Sequence, residues 1–194
     1  MVEFSTAVTV LVIAMLWVPL VAVCTLIPVA VYIVARWRHS KEYRVPDPQL
    51  GLKAIWSFFK LVGFQIGVIG FSLFLFGISQ PRNEIGAGPL GGGLFMLGAL
   101  VYAIHWAAMK RTNHDQFPHT MRMFSGLNMI MVGMGAVFAT IFALVVTLTP
   151  PPSMELVKMG WTFTATYLVA WIISARGFLR VHVLRWQRQS PPEA

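Results

Sequence analysis

Long apolar runs alternate along this chain with short polar stretches that carry proline, and the runs are too long for the core helices of a small soluble domain. About 20 predominantly apolar residues, rising 1.5 Å each, cross about 30 Å of hydrocarbon. Five stretches meet that length: residues 4–35, 54–79, 90–109, 121–148 and 156–175. Between them stand Val45-Pro46-Asp47-Pro48, Gln80-Pro81-Arg82-Asn83, Phe117-Pro118 and Pro150-Pro151-Pro152. Proline has no backbone N–H and lipid offers no water in its place, so these clusters belong outside the hydrocarbon. The pattern predicts an all-α fold: a polytopic integral membrane helical bundle of five transmembrane helices, forming a single transmembrane domain over 1–194. Residues 176–194 form its basic juxtamembrane tail.

The first run is read as a retained helix. It follows Met1-Val2-Glu3 without a Lys or Arg, and it far exceeds the roughly 7–15 apolar residues of a secretory leader. Pro19 and Pro28 give it two places to kink.

Composition fits the same class. Hydrophobic residues make up 57% of the 194 and charged residues only 11%, against about 25% charged in soluble domains. The net charge of +8 then points to anionic lipid headgroups, and nucleic acid is excluded as a partner. Arg36, Arg38, Lys41, Arg44, Lys53, Lys60, Lys110, Arg111, Arg122, Arg176, Arg180, Arg185 and Arg188 fall on one side of an alternating five-span topology; Arg82 and Lys158 fall on the other. Because Lys and Arg near span ends collect in the cytoplasm, this split of thirteen to two places the N-terminus outside and the C-terminus inside. The expected location is a bacterial cytoplasmic (inner) membrane. Cys24 is the single cysteine, which excludes an internal disulfide and a cysteine-based metal centre within one chain.

The longest stretch between spans, 36–53, is too short to bury a core of its own, since chains below about 40 residues need disulfides, metals or partners to fold. Phosphate-binding glycine loops, metalloprotease His-Glu pairs and nucleophile elbows are absent from the sequence. No catalytic residue, metal ligand or cofactor is therefore assigned. Gly91-Gly92-Gly93 is read as close helix packing. All seven acids, Glu3, Glu42, Asp47, Glu84, Asp115, Glu155 and Glu193, lie outside the spans or at their ends. Proton pumps and ion-coupled transporters use intramembrane acids, so that class is disfavoured.

Gln65, His105 and Asn128 are the polar residues expected within the hydrocarbon on the cytoplasmic side, each roughly 7–9 Å inward of a flanking Lys or Arg. Tyr102 lies one turn before His105, and Arg176 closes the last span on the same side. These five form a candidate ligand or pore site, with interhelical hydrogen bonding as the structural alternative. His105 is the only histidine within a span, so bis-histidine haem is not expected, and His114, Asp115, His119 and His182 match no metal template.

Small residues four apart let helix backbones approach in lipid. Gly63 and Gly67, extended loosely by Gly70, then Ala99 and Ala103 with Ala107, then Gly135 and Ala139 with Ala143, and finally Thr162, Thr166, Ala170 and Ser174 form such rows. They are candidates for helix packing or an oligomer interface. With short loops and no catalytic constellation, they lead to a non-enzymatic integral membrane subunit of a homo- or hetero-oligomeric membrane complex. Two alternatives stand beside it. One is an oligomeric ion channel or pore gated from the cytoplasmic side; the other is a membrane enzyme or redox subunit with a lipid or quinone site at the inner leaflet.

Overall fold

The computed structural model describes residues 26, 29–34, 36–37, 48–79, 86–112, 118–150 and 153–189, with only the backbone for 118–122 and 180–189. Four long helices follow in order: α1 Leu50–Ile78, α2 Ala87–Lys110, α3 Pro118–Leu148 and α4 Met154–Gln189. No strand occurs among the described residues. All four helices are long and apolar enough to cross a membrane, over Leu50–Ile78, Ala87–Lys110, Met123–Leu148 and Met154–Leu179. These helices mark a multi-pass integral membrane protein. The expected first span, 4–35, falls mostly outside the described residues.

Each helix outruns its apolar stretch because the hydrocarbon limits only the apolar segment and a helix can continue into the headgroup zone. Thus α1 takes in Lys53, and α4 runs to Gln189, well past the span that was expected to end at residue 175. Local chemistry sets several ends. Pro118 opens α3, where its missing N–H costs nothing. Gly86, at φ 61°, precedes α2 in the left-handed region that glycine enters without penalty, and its carbonyl accepts from the Leu90 N–H at 3.1 Å.

The chain divides into two compact units, 1–55 and 56–194. In the first, residues 29–34 and 36–37 are helical, and Gly51 faces the ring of Tyr32. The second holds the helical bundle. There α1 and α2 cross antiparallel with backbone on backbone: Gly63 meets Gly98 and Tyr102, Gly70 meets Leu94 and Phe95, and Gly77 meets Ala87 and Gly88. Reciprocally, Gly91 fits against Leu73 and Phe74. The repeat is seven residues in both helices, two turns at 3.5 residues each, which holds the glycines on one slowly coiling seam.

The pairing of α3 with α4 follows a different rule. Here aromatic rings from α4 rest on glycines of α3, with Phe178 at Gly126, Trp171 at Gly133 and Tyr167 at Gly135; only Gly160 meets backbone, at Ala143. Val68, Val132 and Ala170, one each from α1, α3 and α4, make the buried core with Phe64 and Tyr167 packed on it. Several hydroxyls within the spans are satisfied by their own helices: Ser72 Oγ donates to Val68 O, Thr140 to Ala136 O, Thr164 to Gly160 O and Thr166 to Thr162 O, at 2.7–2.9 Å. Lipid cannot supply those bonds, so back-bonding within the helix removes the penalty locally. Elsewhere the surface is apolar, as a lipid-facing bundle requires, with Phe138, Val145, Ile173 and Leu100 all exposed.

Candidate functional site

Gln65, His105 and Asn128 lie toward the end that carries Lys60, Lys110, Arg111 and Arg176; Glu155 and Lys158 mark the other end. Gln65 of α1 donates from Nε2 to Oδ1 of Asn128 on α3 at 3.1 Å, and Asn128 Nδ2 donates to Ser174 Oγ on α4 at 3.1 Å. One amide thus ties three helices together, accepting on one side and donating on the other. The clasp lies about one turn from the Val68–Val132–Ala170 core. Ser174 entered the sequence reading only as the last member of a small-residue row, yet it completes this network.

His105 does not join the clasp. Its Nδ1 lies 2.7 Å from Val101 O in its own helix; a carbonyl only accepts, so that nitrogen bears the proton. The imidazole stacks on Phe59, with centroids 5.1 Å apart and planes 24° apart. Phe59 precedes Gln65 by six residues, about 9 Å of helix, so the common level expected for the three polar residues holds for Gln65 and Asn128 and not for His105.

Tyr102 stands where two cavities meet. An apolar groove of about 810 Å³ runs along α1, α2 and α4, bounded by Phe71, Leu75, Phe95, Trp161 and Val169 and floored in part by Gly67. A polar pocket of about 320 Å³ at the basic end is bounded by Ser57, Lys60, Ser125, Asn128 and Ser174. Phe64, Tyr102 and Ile173 belong to both. The Lys60 ammonium lies 5.2 Å from the centroid of the Tyr102 ring, within cation–π range. In the same pocket the Ser57 hydroxyl donates to the Met109 sulfur at 3.5 Å, a weak acceptor. Arg176 is exposed on α4 beside Gly177, which borders the pocket.

The small-residue rows divide in use. Gly63 is locked in the α1–α2 crossing, whereas a side chain added at Gly67 would meet nothing within 4 Å and would enter the groove. Gly67 serves the crossing through its backbone, which receives Gly98. Gly135 seats the Tyr167 ring, and it borders a third, apolar cavity together with Ala139. Ala99 and Ala103 are exposed, as is Ala107.

Gly77, Gly88, Gly98 and Gly160 escaped a reading based on four-residue spacing, although Gly63-Gly70-Gly77 and Gly91-Gly98 show the seven-residue repeat in plain sequence. Among the described residues, no three of His, Cys, Asp and Glu converge as metal ligands. His114, Asp115 and the side chains of His119 and His182 lie outside the described residues. Comparison with protein-family models, with curated proteins and with solved structures finds no match for this chain.

Proposed function

We propose that the protein is a non-enzymatic integral membrane subunit that works within a homo- or hetero-oligomeric membrane complex. Support comes from the small residues that internal packing leaves over. The seven-spaced glycines are taken up by the α1–α2 crossing, while Ala99, Ala103 and Ala107 stand four apart and exposed on α2. A row at that spacing admits a further helix at close range.

Mass measurement of the complex in mild detergent tests this reading. The native assembly is expected to exceed the 21.6 kDa of one chain, and Ala103→Trp, which plants an indole on the row, is expected to reduce it to the single chain. A monomeric wild type, or an assembly indifferent to Ala103→Trp, would reject it.

In this reading the basic end faces the cytoplasm of a bacterial inner membrane, with the N-terminus outside and the C-terminus inside; the thirteen-to-two distribution of Lys and Arg supports it. Alkaline phosphatase, which is active only outside the cytoplasm, is expected to be inactive when fused after Ala194 and active when fused after Gly88. The opposite pair of results would reverse the topology.

The two alternatives have less support. An oligomeric pore would run between copies, whereas Gln65 and Asn128 are bonded to each other and to Ser174 within the bundle, and a catalytic pairing of Tyr102 with His105 is opposed by an imidazole bonded to its own helix.

A further inference from the structure

The apolar groove and the polar pocket adjoin at Phe64, Tyr102 and Ile173, which line both, and the chemistry of the lining changes from one to the other. At the change stands Lys60, its ammonium beside the Tyr102 ring. Among the described residues the only carboxylate belongs to Glu155, nineteen residues before Ser174 on α4 and so about 28 Å from the pocket along the helix. A lysine within a span normally pairs with a counter-charge or reaches out to the interface, and the described protein offers this one no anion. The pocket supplies neutral hydrogen-bonding side chains around it, from Ser57, Ser125 and Asn128. Ser57 now spends its proton on a thioether, and a phosphate oxygen is a far stronger acceptor. Beyond Tyr102 the walls turn apolar at Phe71, Phe95 and Val169. Each of the two volumes lies in the range of small-molecule sites, about 300–1,000 Å³.

We propose that the groove and the pocket together are a binding site for an anionic membrane lipid, its phosphate-bearing head beside Lys60 and an acyl chain in the groove past Tyr102. Both halves are required. The cation selects a negative head, and the continuous apolar groove selects a lipid over free phosphate. The site overlaps the row invoked for the subunit role at Ala99 alone, which lines the groove, whereas Ala103 and Ala107 border neither cavity, so Ala103→Trp and the groove variants test the two readings separately.

The test uses the full chain in detergent, offered equimolar phosphatidylglycerol and phosphatidylcholine with matched acyl chains, with retained lipid read by native mass spectrometry. The wild type is expected to retain phosphatidylglycerol over phosphatidylcholine by about tenfold, the scale of one charge-assisted contact. Lys60→Gln keeps a polar side chain without the charge and is expected to bring that ratio close to one. Gly67→Leu adds its side chain on the groove side, where a Cβ meets nothing within 4 Å, and is expected to lower retention of both lipids by about tenfold, with the melting temperature preserved. Ala165→Phe, from the opposite wall of the groove, repeats the test should Gly67→Leu misfold. The proposal is overturned by a wild type without preference, by an unchanged ratio in Lys60→Gln, or by unchanged occupancy in both groove-filling variants. Displacement of phosphatidylglycerol by an equal concentration of inorganic phosphate overturns it as well, and so does a native assembly lost in Gly67→Leu while lipid retention stays the same, which would assign the groove to a second copy.

Discussion

Gly98→Leu is expected to abolish the folded bundle, and even Gly98→Ala should destabilise it by about 3 kcal/mol, the upper end of the usual cost of overpacking. A Cβ at this position would lie 2.7 Å from both the carbonyl oxygen of Gly63 and the Cα of Gly67, with the amide of Gly67 nearer still. These are backbone atoms in the middle of a helix, so no rotamer change can clear the way. Relief demands that α1 and α2 separate, which also opens the contacts at Gly63, Gly70, Gly77 and Gly91. In lipid those contacts hold the pair by van der Waals packing, since the hydrocarbon around them provides no hydrophobic drive for association. Two glycines on the same helices serve as controls. Gly67 and Gly93 have nothing within 4 Å of an added Cβ, so Gly67→Leu and Gly93→Leu should be neutral or stabilising by up to about 1 kcal/mol, because glycine is a poor helix former. Denaturant titration in mixed micelles, followed by circular dichroism, measures all of these. A Gly98→Ala variant as stable as the wild type would mean that the two helices cross at a greater distance.

That contrast also shows which parts of the fold can be read from sequence. Apolar length and proline placement suffice for the four described spans, because the hydrocarbon thickness imposes one requirement on every crossing segment. Which faces meet is a finer property. Spacing by four picks out Gly63 and Gly67 as equals, yet one points its missing side chain at α2 and the other into a groove. The seven-residue repeat through Gly63, Gly70 and Gly77 was visible, and it identifies the α1–α2 seam better than any four-residue pair does. For α3 and α4 no repeat of small residues alone could suffice. Their glycines are seats for Trp171, Tyr167 and Phe178, so half of the signal is aromatic and lies on the other helix.

Depth along the membrane normal was legible for Gln65 and Asn128 because helices rise uniformly, whereas rotation about the axis was not. His105 lies beside Phe59, about 9 Å of helix from Gln65, and its ring bonds Val101 of its own helix and stacks on Phe59. Ser174 was the opposite case: a small hydroxyl residue in a small-residue row, with nothing local to mark it as a partner for an amide on the preceding helix. The groove and its polar pocket were illegible for a related reason. They arise where α1, α2 and α4 fail to fill space between them, and an unfilled space has no sequence signature.

The amide clasp predicts the second large effect. Asn128→Leu removes the acceptor of Gln65 Nε2 and the donor to Ser174 Oγ in one step. Interhelical hydrogen bonds in membranes average only about 0.6 kcal/mol, so two lost bonds alone would cost little more than 1 kcal/mol. The larger part comes from the amide left behind: Gln65 is half-buried, and a stranded polar group loses about 1–3 kcal/mol. Asn128→Leu is therefore expected to destabilise the bundle by about 2–3 kcal/mol, and Ser174→Ala, which strands only one N–H, by about 1 kcal/mol. His105→Gln, at a residue bonded only to its own helix, should change stability by less than about 0.5 kcal/mol. The decisive variant combines Gln65→Leu with Asn128→Leu. With both partners apolar no amide is stranded, and the double variant should recover at least half of the stability lost in Asn128→Leu alone. Additive losses in that cycle would mean that the two amides do not bond across α1 and α3 in the membrane, and that Asn128 acts through its packing against α4.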